Sequence, residues 1–458
     1  MTATAVAAGL TNLTRGRGLA DPEWLARARE SAFAWLARHG FPTRKDEDWK
    51  YLRLAPILDA PFTPARSDQV HGLTPTILDT LAPDLGGPRI VFVNGHLAET
   101  LSTFSAQERG VTIAGVGSML ATDPERLEPF FTTPDHTNTD GFAALNIGLV
   151  EDGAYIHIPE KVAIEQPIHL VFCTTTSVEG PVVSSPRSIV VAEANSRATI
   201  VETHVGLGDA ISCTNAIARI SLAPGAHVNH YMVQNAPDTV FHFDVLDVVQ
   251  AADSRFSSQA FVLGAAVARH EVRVHLDGED AGVTLSGLYQ PAGDQYHDNP
   301  ILIEHAAPNC TSRQQYNGVL DDRAHGVFNG RIVVQPGAVG TDATQSNKNL
   351  ILSDRAEIDT RPRLEILADD VKCAHGATVG QLDEDAVYYL RTRGISEKSA
   401  MGLLTYAFAN EMVERIEVGS LRGWTEHVVS HRLNVSERLS AFEPRNAVVE
   451  SKPRRRSQ

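Results

Sequence analysis

Apolar positions follow different periods along the chain. Between residues 21 and 40, Leu25, Ala28, Ala32, Trp35 and Leu36 recur at three and four, the stripe of an amphipathic helix. Asp21, Pro22 and Glu23 read as its start: a capping carboxylate, a proline at the first helical position and an acid in the first turn. Gly40 stands where such a helix ends, and Pro42 blocks its resumption. The next segment, residues 44–51 (RKDEDWKY), reads as a charged turn whose Trp49 and Tyr51 pack on that helix. Residues 60–90 contain Pro61, Pro64, Pro75 and Pro83 and read as a linker with one short helix.

From Arg89 the helical spacing gives way to short β-branched runs separated by Gly, Pro, Asn and Asp. An apolar run followed by a small or polar corner begins near Val190, Ile220, Val248, Val274, Leu302, Val333 and Glu365, at spacings of 30, 28, 26, 28, 31 and 32 residues. A near-constant period of this size predicts stacked coils of a β-solenoid, each burying its apolar face against its neighbours. Two-residue hairpin signals are sparse, which disfavours a β-sandwich.

After Gly380 the helical period returns. Asp383 reads as the cap of a helix to about Thr392, with Gly394 ending it, and Ser396 as the cap of the next. In the latter, Leu403, Leu404, Ala407, Phe408, Met412 and Ile416 make a broad apolar face. A third helix is expected over residues 424–432. These helices read as a cap on the solenoid's end, as a docking surface, or as both. The predicted division is an N-terminal helical region with a disordered start (1–88), a solenoid (89–382), a helical docking region (383–440) and a disordered tail (441–458).

The formal net charge of −16 argues against a duplex nucleic-acid binder, which needs a basic face. The basic run at 452–456 reads as a solvated tail. Cys173, Cys213, Cys310 and Cys373 are scattered, with no CxxC, which excludes a disulfide framework or zinc ribbon and fits a reducing, cytoplasmic setting. There is no apolar run long enough for a transmembrane helix and no order of charges typical of a secretory signal.

The stretch 365–380 (EILADDVKCAHGATVG) carries the candidate chemistry. In an extended strand Val371, Cys373 and His375 share one face, and Asp370, Lys372 and Ala374 the other. A thiolate and an imidazole on one face can reach one soft or borderline metal. A structural reading, a buried thiol beside a satisfied imidazole, competes with it. His270-Glu271 with His275 is not an HExxH zinc motif, because the second histidine is one place too far and the pattern is a strand's. There is no phosphate loop of the GxxxxGK(S/T) kind, so this chain does not hydrolyse ATP in that way. Residues 305–349 are rich in polar side chains, read as solvent-facing ladders and corners or as a polar recognition surface. Asp321-Asp322 and Asp369-Asp370 are the acidic pairs a β-helix carbohydrate-active enzyme would use, but adjacent carboxylates in a strand point apart.

The run 309–380 (NCTSRQQYNGVLDDRAHGVFNGRIVV, TDATQSNKNLILSD, DDVKCAHGATVGQLD) with YYLRTRGIS after it resembles the SufB/SufD family of iron–sulfur cluster assembly proteins. The run PTRKDEDWKYLRL and the overall length look like its SufD branch rather than a SufB-like chain holding a cluster itself. The resemblance implies a right-handed parallel β-helix with helical regions at both ends. It implies a non-catalytic scaffold in a cytoplasmic complex with a SufB-like paralogue and two copies of the ATPase SufC, one of which docks on this chain's C-terminal helices. A homodimer in isolation is also compatible with it; nucleic acid and membrane are not expected partners. His375, with Cys373 beside it, matches the motif where iron or a nascent cluster is held transiently between two chains; no cofactor is expected to stay on this chain alone. Ala374 stands where the motif often has serine, on the opposite face.

Overall fold

The computed structural model describes residues 21–433 except Arg53, Asp59 and positions 67–71, 105–106, 109, 133–139, 176–179 and 210. The expected disordered start (1–20) and tail (441–458) lie outside the described residues. The first helix, α1 (Glu23–His39), buries Trp24, Leu25, Ala32 and Leu36 and ends at Gly40 with φ 73°. Its start differs from expectation: Pro22 is the cap, its carbonyl accepting from Leu25 and Ala26. Asp21 instead pairs with Arg29 at 2.9 Å. Among the described residues of the linker the one short helix is α2 (Pro75–Leu81), capped by Thr74.

The described residues of 116–149, where strands were expected, are largely helical. They contain α3 (Val116–Thr122) and α4 (Gly141–Leu149). Asp140 caps α4 by accepting from the amides of Phe142 and Ala143, both at 2.9 Å. Arg29 donates to the carbonyls of Gly148 and Val150 at its other end. The sequence GFAALNIGL is apolar on every side and so shows no stripe; the helix is buried between α1 and the solenoid.

The longest of the short strands that precede a parallel β-solenoid of about seven turns are β1 (Arg89–Val93) and β2 (Val111–Gly115). Each turn gives one strand to each of two facing sheets. The first sheet takes β3 (Ala154–Ile158), β5 (Arg187–Ala192), β7 (Ser212–Leu222), β9 (Val240–Gln250), β11 (Val267–Leu276), β13 (Tyr296–His305) and β15 (His325–Val334), then the short β17 (Glu357–Thr360) and β18 (Arg363–Ile366). The second takes β4 (Ile168–Thr175), β6 (Arg197–Leu207), β8 (His227–Asn235), β10 (Arg255–Val262), β12 (Gly282–Tyr289), β14 (Thr311–Leu320), β16 (Asp342–Ile351) and β19 (Lys372–Gly380).

The sequence repeat matches the register. Val190, Ile220, Val248 and Val274 are successive Cα partners. Leu302 is one residue early and Val333 and Glu365 are one residue late, since the column runs from Val274 through Ile303 and Ile332 to Leu364. These residues fill the lumen in one apolar cluster, each fully buried aliphatic contributing roughly 1.5–3 kcal/mol.

The corners from first to second sheet also stack. Asn195, Gly225, Asp253, Asp280, Asn309, Gly340 and Asp370 all have φ between 54° and 74°. From Asn195 to Gly340, the amide of each donates to a carbonyl in the next coil's corner at 2.8–3.1 Å. Asn, Asp and Gly recur there because they tolerate the left-handed region best.

The C-terminal helices are α5 (Glu384–Thr392), α6 (Glu397–Val413) and α7 (Gly419–Arg432). Asp383 and Ser396 cap the first two as expected, and Gly394 follows α5 with φ 86°. They do not cap the solenoid's end. Helices α6 and α7 lie on the outer face of the second sheet, where Met412, Val413, Ile416, Leu421 and Val429 bury Val201, Tyr231, Val233, Phe261 and Leu288. The buried side of α6 is Ala400, Thr405, Ala409, Met412 and Val413, so the expected face holds only in part: Leu403 and Leu404 are half-buried and Ala407 is exposed.

Candidate functional site

Strand β19 ends the second sheet and, among the described residues, pairs on one side only, with β16. Cys373 is the Cα partner of Ala343, and His375 of Gln345, both buried. Their columns continue inward through Ser312 and Gln314. The cysteine and histidine therefore sit together on the lumenal face of the last strand. Val371 and Cys373 pack on the lumenal cluster, while His375 is exposed. Cys373 is half-buried, and that burial pushes its thiol above the ordinary range, with the Ala343 backbone hydrogen bond opposing. A metal would have to displace the thiol proton. Among the described residues no three His, Cys, Asp or Glu side chains converge as a metal-binding set. This pair offers two ligands at an open rim.

The polar run 305–349 divides by strand parity: Asn309 and Asp322 stand at corners and Arg313 is exposed, as the ladder-and-corner reading expects, while the alternate strand positions turn into the lumen. His305, Gln314, Tyr316, Gln345, Asn347 and Asn349 are buried. Several form a lumenal network: Tyr289 Oη donates to Asn349 Oδ1, Asn349 Nδ2 to Asn347 Oδ1 at 2.6 Å, and Thr360 Oγ1 to the same oxygen at 2.8 Å. On the outer face Gln315 and Asn317 donate to Glu411 of α6, and Lys348 pairs with it.

The half-coil leading into β19 is held by the charged segment 44–51. Arg361 donates to Glu47 at 2.5 Å. Arg363 donates to Asp48 at 3.4 Å and to Asn329 at 2.9 Å. Arg361 and Lys50 together hold the Glu47 carboxyl below its usual range. Trp49 stacks on Phe142 and, at 6.4 Å, on Phe243, in one cluster with Ala32 and Leu36. The Arg269 guanidinium lies 3.9 Å from the centre of its ring. The aromatic thus packs on α4 and the solenoid as well as on α1. Sequence reading missed Arg361 and Arg363 because their partners lie more than three hundred residues away.

Other candidates fall elsewhere. In the middle coils Glu202 meets His204 and His230, and Asp244 meets His242 and His270, all buried. Burial would raise Glu202, yet the two histidines hold it at about 2. His270 faces Asp244 in the lumen, while Glu271 is bound by Arg269 and Arg273 on the opposite face, so no HExxH geometry exists. Asp322 and Asp370 are left-handed residues at two different corners, and Asp322 accepts from the Gly293 amide. The acidic pairs serve the turns and do not converge on a shared substrate.

Residues 172–408 match the SUF system FeS cluster assembly, SufBD core domain, and residues 19–170 match the SufBD protein N-terminal region. The chain belongs to the SufBD family. It is 34% identical to the iron–sulfur cluster assembly protein SufD of Escherichia coli over 390 residues, 84% of this chain and 88% of that protein. It is 31% identical to a SufBD family iron–sulfur cluster assembly protein of Synechocystis over 421 residues, 89% and 91% of the two chains. A chloroplastic protein of Arabidopsis thaliana, ABCI7, is 27% identical over 406 residues, 87% of this chain and 84% of that protein. The SufBD core match spans the second sheet from Phe172 onward, including the rim strand. Among the described residues no helix is long and apolar enough to cross a membrane.

Proposed function

We propose that this SufBD protein is a SufD-type, non-catalytic scaffold of a cytoplasmic iron–sulfur assembly complex. In this reading iron or a nascent cluster is cargo, held at Cys373 and His375 while a SufB-like partner chain supplies the remaining ligands. The observation that carries it is the pairing of a lumenal cysteine and histidine on an edge strand whose far side has no strand beside it among the described residues. Such an edge is a template for another chain, and two ligands are half of the four a cluster normally takes. The test is His375→Ala in the intact complex. Cluster formation, followed by anaerobic absorption spectroscopy, is expected to collapse; formation at the wild-type rate would refute the site.

An ATPase partner of the SufC type is assigned to the C-terminal helices. Helix α5 buries none of its residues, and Tyr388 and Tyr389 are 67% and 57% exposed, with Met401 of α6 also uncovered. Deleting residues 383–440 is a poor test, because α6 and α7 cover the apolar outer face of the second sheet. Tyr388→Asp with Tyr389→Asp leaves that cover in place. Co-purification of the ATPase is expected to fall at least about tenfold, the loss of a modest hot spot; unchanged capture would remove these helices as its dock.

A further inference from the structure

Gln345 and Gln314 lie directly below His375 in one lumenal column, as successive Cα partners on β16 and β14. Each is 3% exposed. Neither the amide nitrogen nor the oxygen of either side chain has a hydrogen-bond partner. Among the described residues these are the only two side-chain amides with both polar atoms buried and unpartnered. The neighbouring columns behave differently, since Asn347 and Asn349 close a network with Tyr289 and Thr360. A polar lumen is therefore not in itself the reason for the orphaned amides.

Across the lumen from Gln345 stands Gly330 of β15. A Cβ built there would fall 1.6 Å from Gln345 Nε2. The glutamine side chain thus crosses to the opposite sheet, one coil beneath the rim, where a larger residue than glycine would stop it. Buried amides without partners are destabilising, and no described protein group pairs with these two. A polar guest entering from the rim would.

We propose that Gln345 is the floor of the cargo site: its amide hydrogen-bonds the water or sulfide ligands of iron held at Cys373 and His375. Its N–H donates to a sulfide or water, and its carbonyl accepts from a bound water. Gln314, one coil deeper, lies farther from the guest and has the weaker effect. The inference rests on the Cys373–His375 reading, and the test separates the two.

The test uses the intact complex, titrated anaerobically with ferrous iron, and the melting temperature of the full chain. The variants are Gln345→Leu, Gln314→Leu and His375→Ala. Gln345→Leu is expected to weaken iron binding about tenfold, the usual effect of an outer-shell partner, while the melting temperature holds or rises. Gln314→Leu should weaken binding less. Wild-type iron affinity in Gln345→Leu, or a loss of affinity accompanied by a fall in melting temperature, would make the amide structural and overturn the proposal. If His375→Ala binds iron as the wild type does, the underlying pair is wrong whatever Gln345 does.

Discussion

One left-handed backbone angle selects the residue type at each corner of the column from Asn195 to Asp370. Asp253 sits at φ 56° in the corner column, is exposed and donates its amide to the next coil at 2.9 Å. Asp253→Val puts a β-branched residue in the left-handed region and is expected to cost about 1–2 kcal/mol in unfolding experiments. Asp253→Gly should stay within a few tenths of wild type. Equal stability of the two variants would show that the column does not depend on its φ. At the rim, strand alternation made Cys373 and His375 readable as a pair before any coordinates. Their lumenal direction was not readable, because alternation separates two faces without saying which is inside.

Among the elements, the segment 44–51 was legible as charged and aromatic but not as a latch. Its partners Arg361 and Arg363 belong to the half-coil that precedes β19. Both carboxylates are more than half exposed, so each pair is weak alone and screened by salt. Glu47→Gln with Asp48→Asn should raise hydrogen exchange across residues 357–366, more at low ionic strength, with a charge-swapped Glu47→Arg, Arg361→Glu chain recovering part of the protection. Unchanged exchange at low salt would show that β18 holds itself. Helix α4 illustrates the opposite failure: its residues are apolar all round, and periodicity cannot mark a helix that has no wet side. Caps marked α5 and α6, while α7 starts at Gly419, five residues before the expected Trp424, and the landing place of α6 and α7 on the second sheet depends on Val201, Tyr231 and Phe261, outward residues of strands more than 150 positions earlier.

At the scale of the molecule, burial holds three histidines in neutral form. Burial holds His169 and His297 at about 3 and His305 at about 4, below the ordinary 6.5. The unfolded chain takes up protons on these rings from pH 6.5 downward and the folded chain does not. Their stabilisation is thus full above pH 6.5 and lost as pH falls toward 4, each costing up to about 1.4 kcal/mol per pH unit. Glu202, held at about 2, adds its loss only below its ordinary 4.5. Denaturation midpoints should therefore fall from pH 7 to pH 5, with Asp298, which burial raises to about 6, opposing part of the loss as it takes up its proton in the fold. A flat profile across that window would mean the rings are protonated in the fold.

The order of residues by itself determined the repeat, the corner residues, the caps of α5 and α6 and the Cys373–His375 pair, because each depends on neighbours within a turn or a strand. Only the tertiary structure decided which strand faces close the lumen, that α6 and α7 cover a sheet rather than an end, and that Arg361, Gln345 and Gly330 meet what they meet. Those contacts are fixed by stacking coils about thirty residues apart and by the return of both chain ends onto them, and no local pattern encodes that distance.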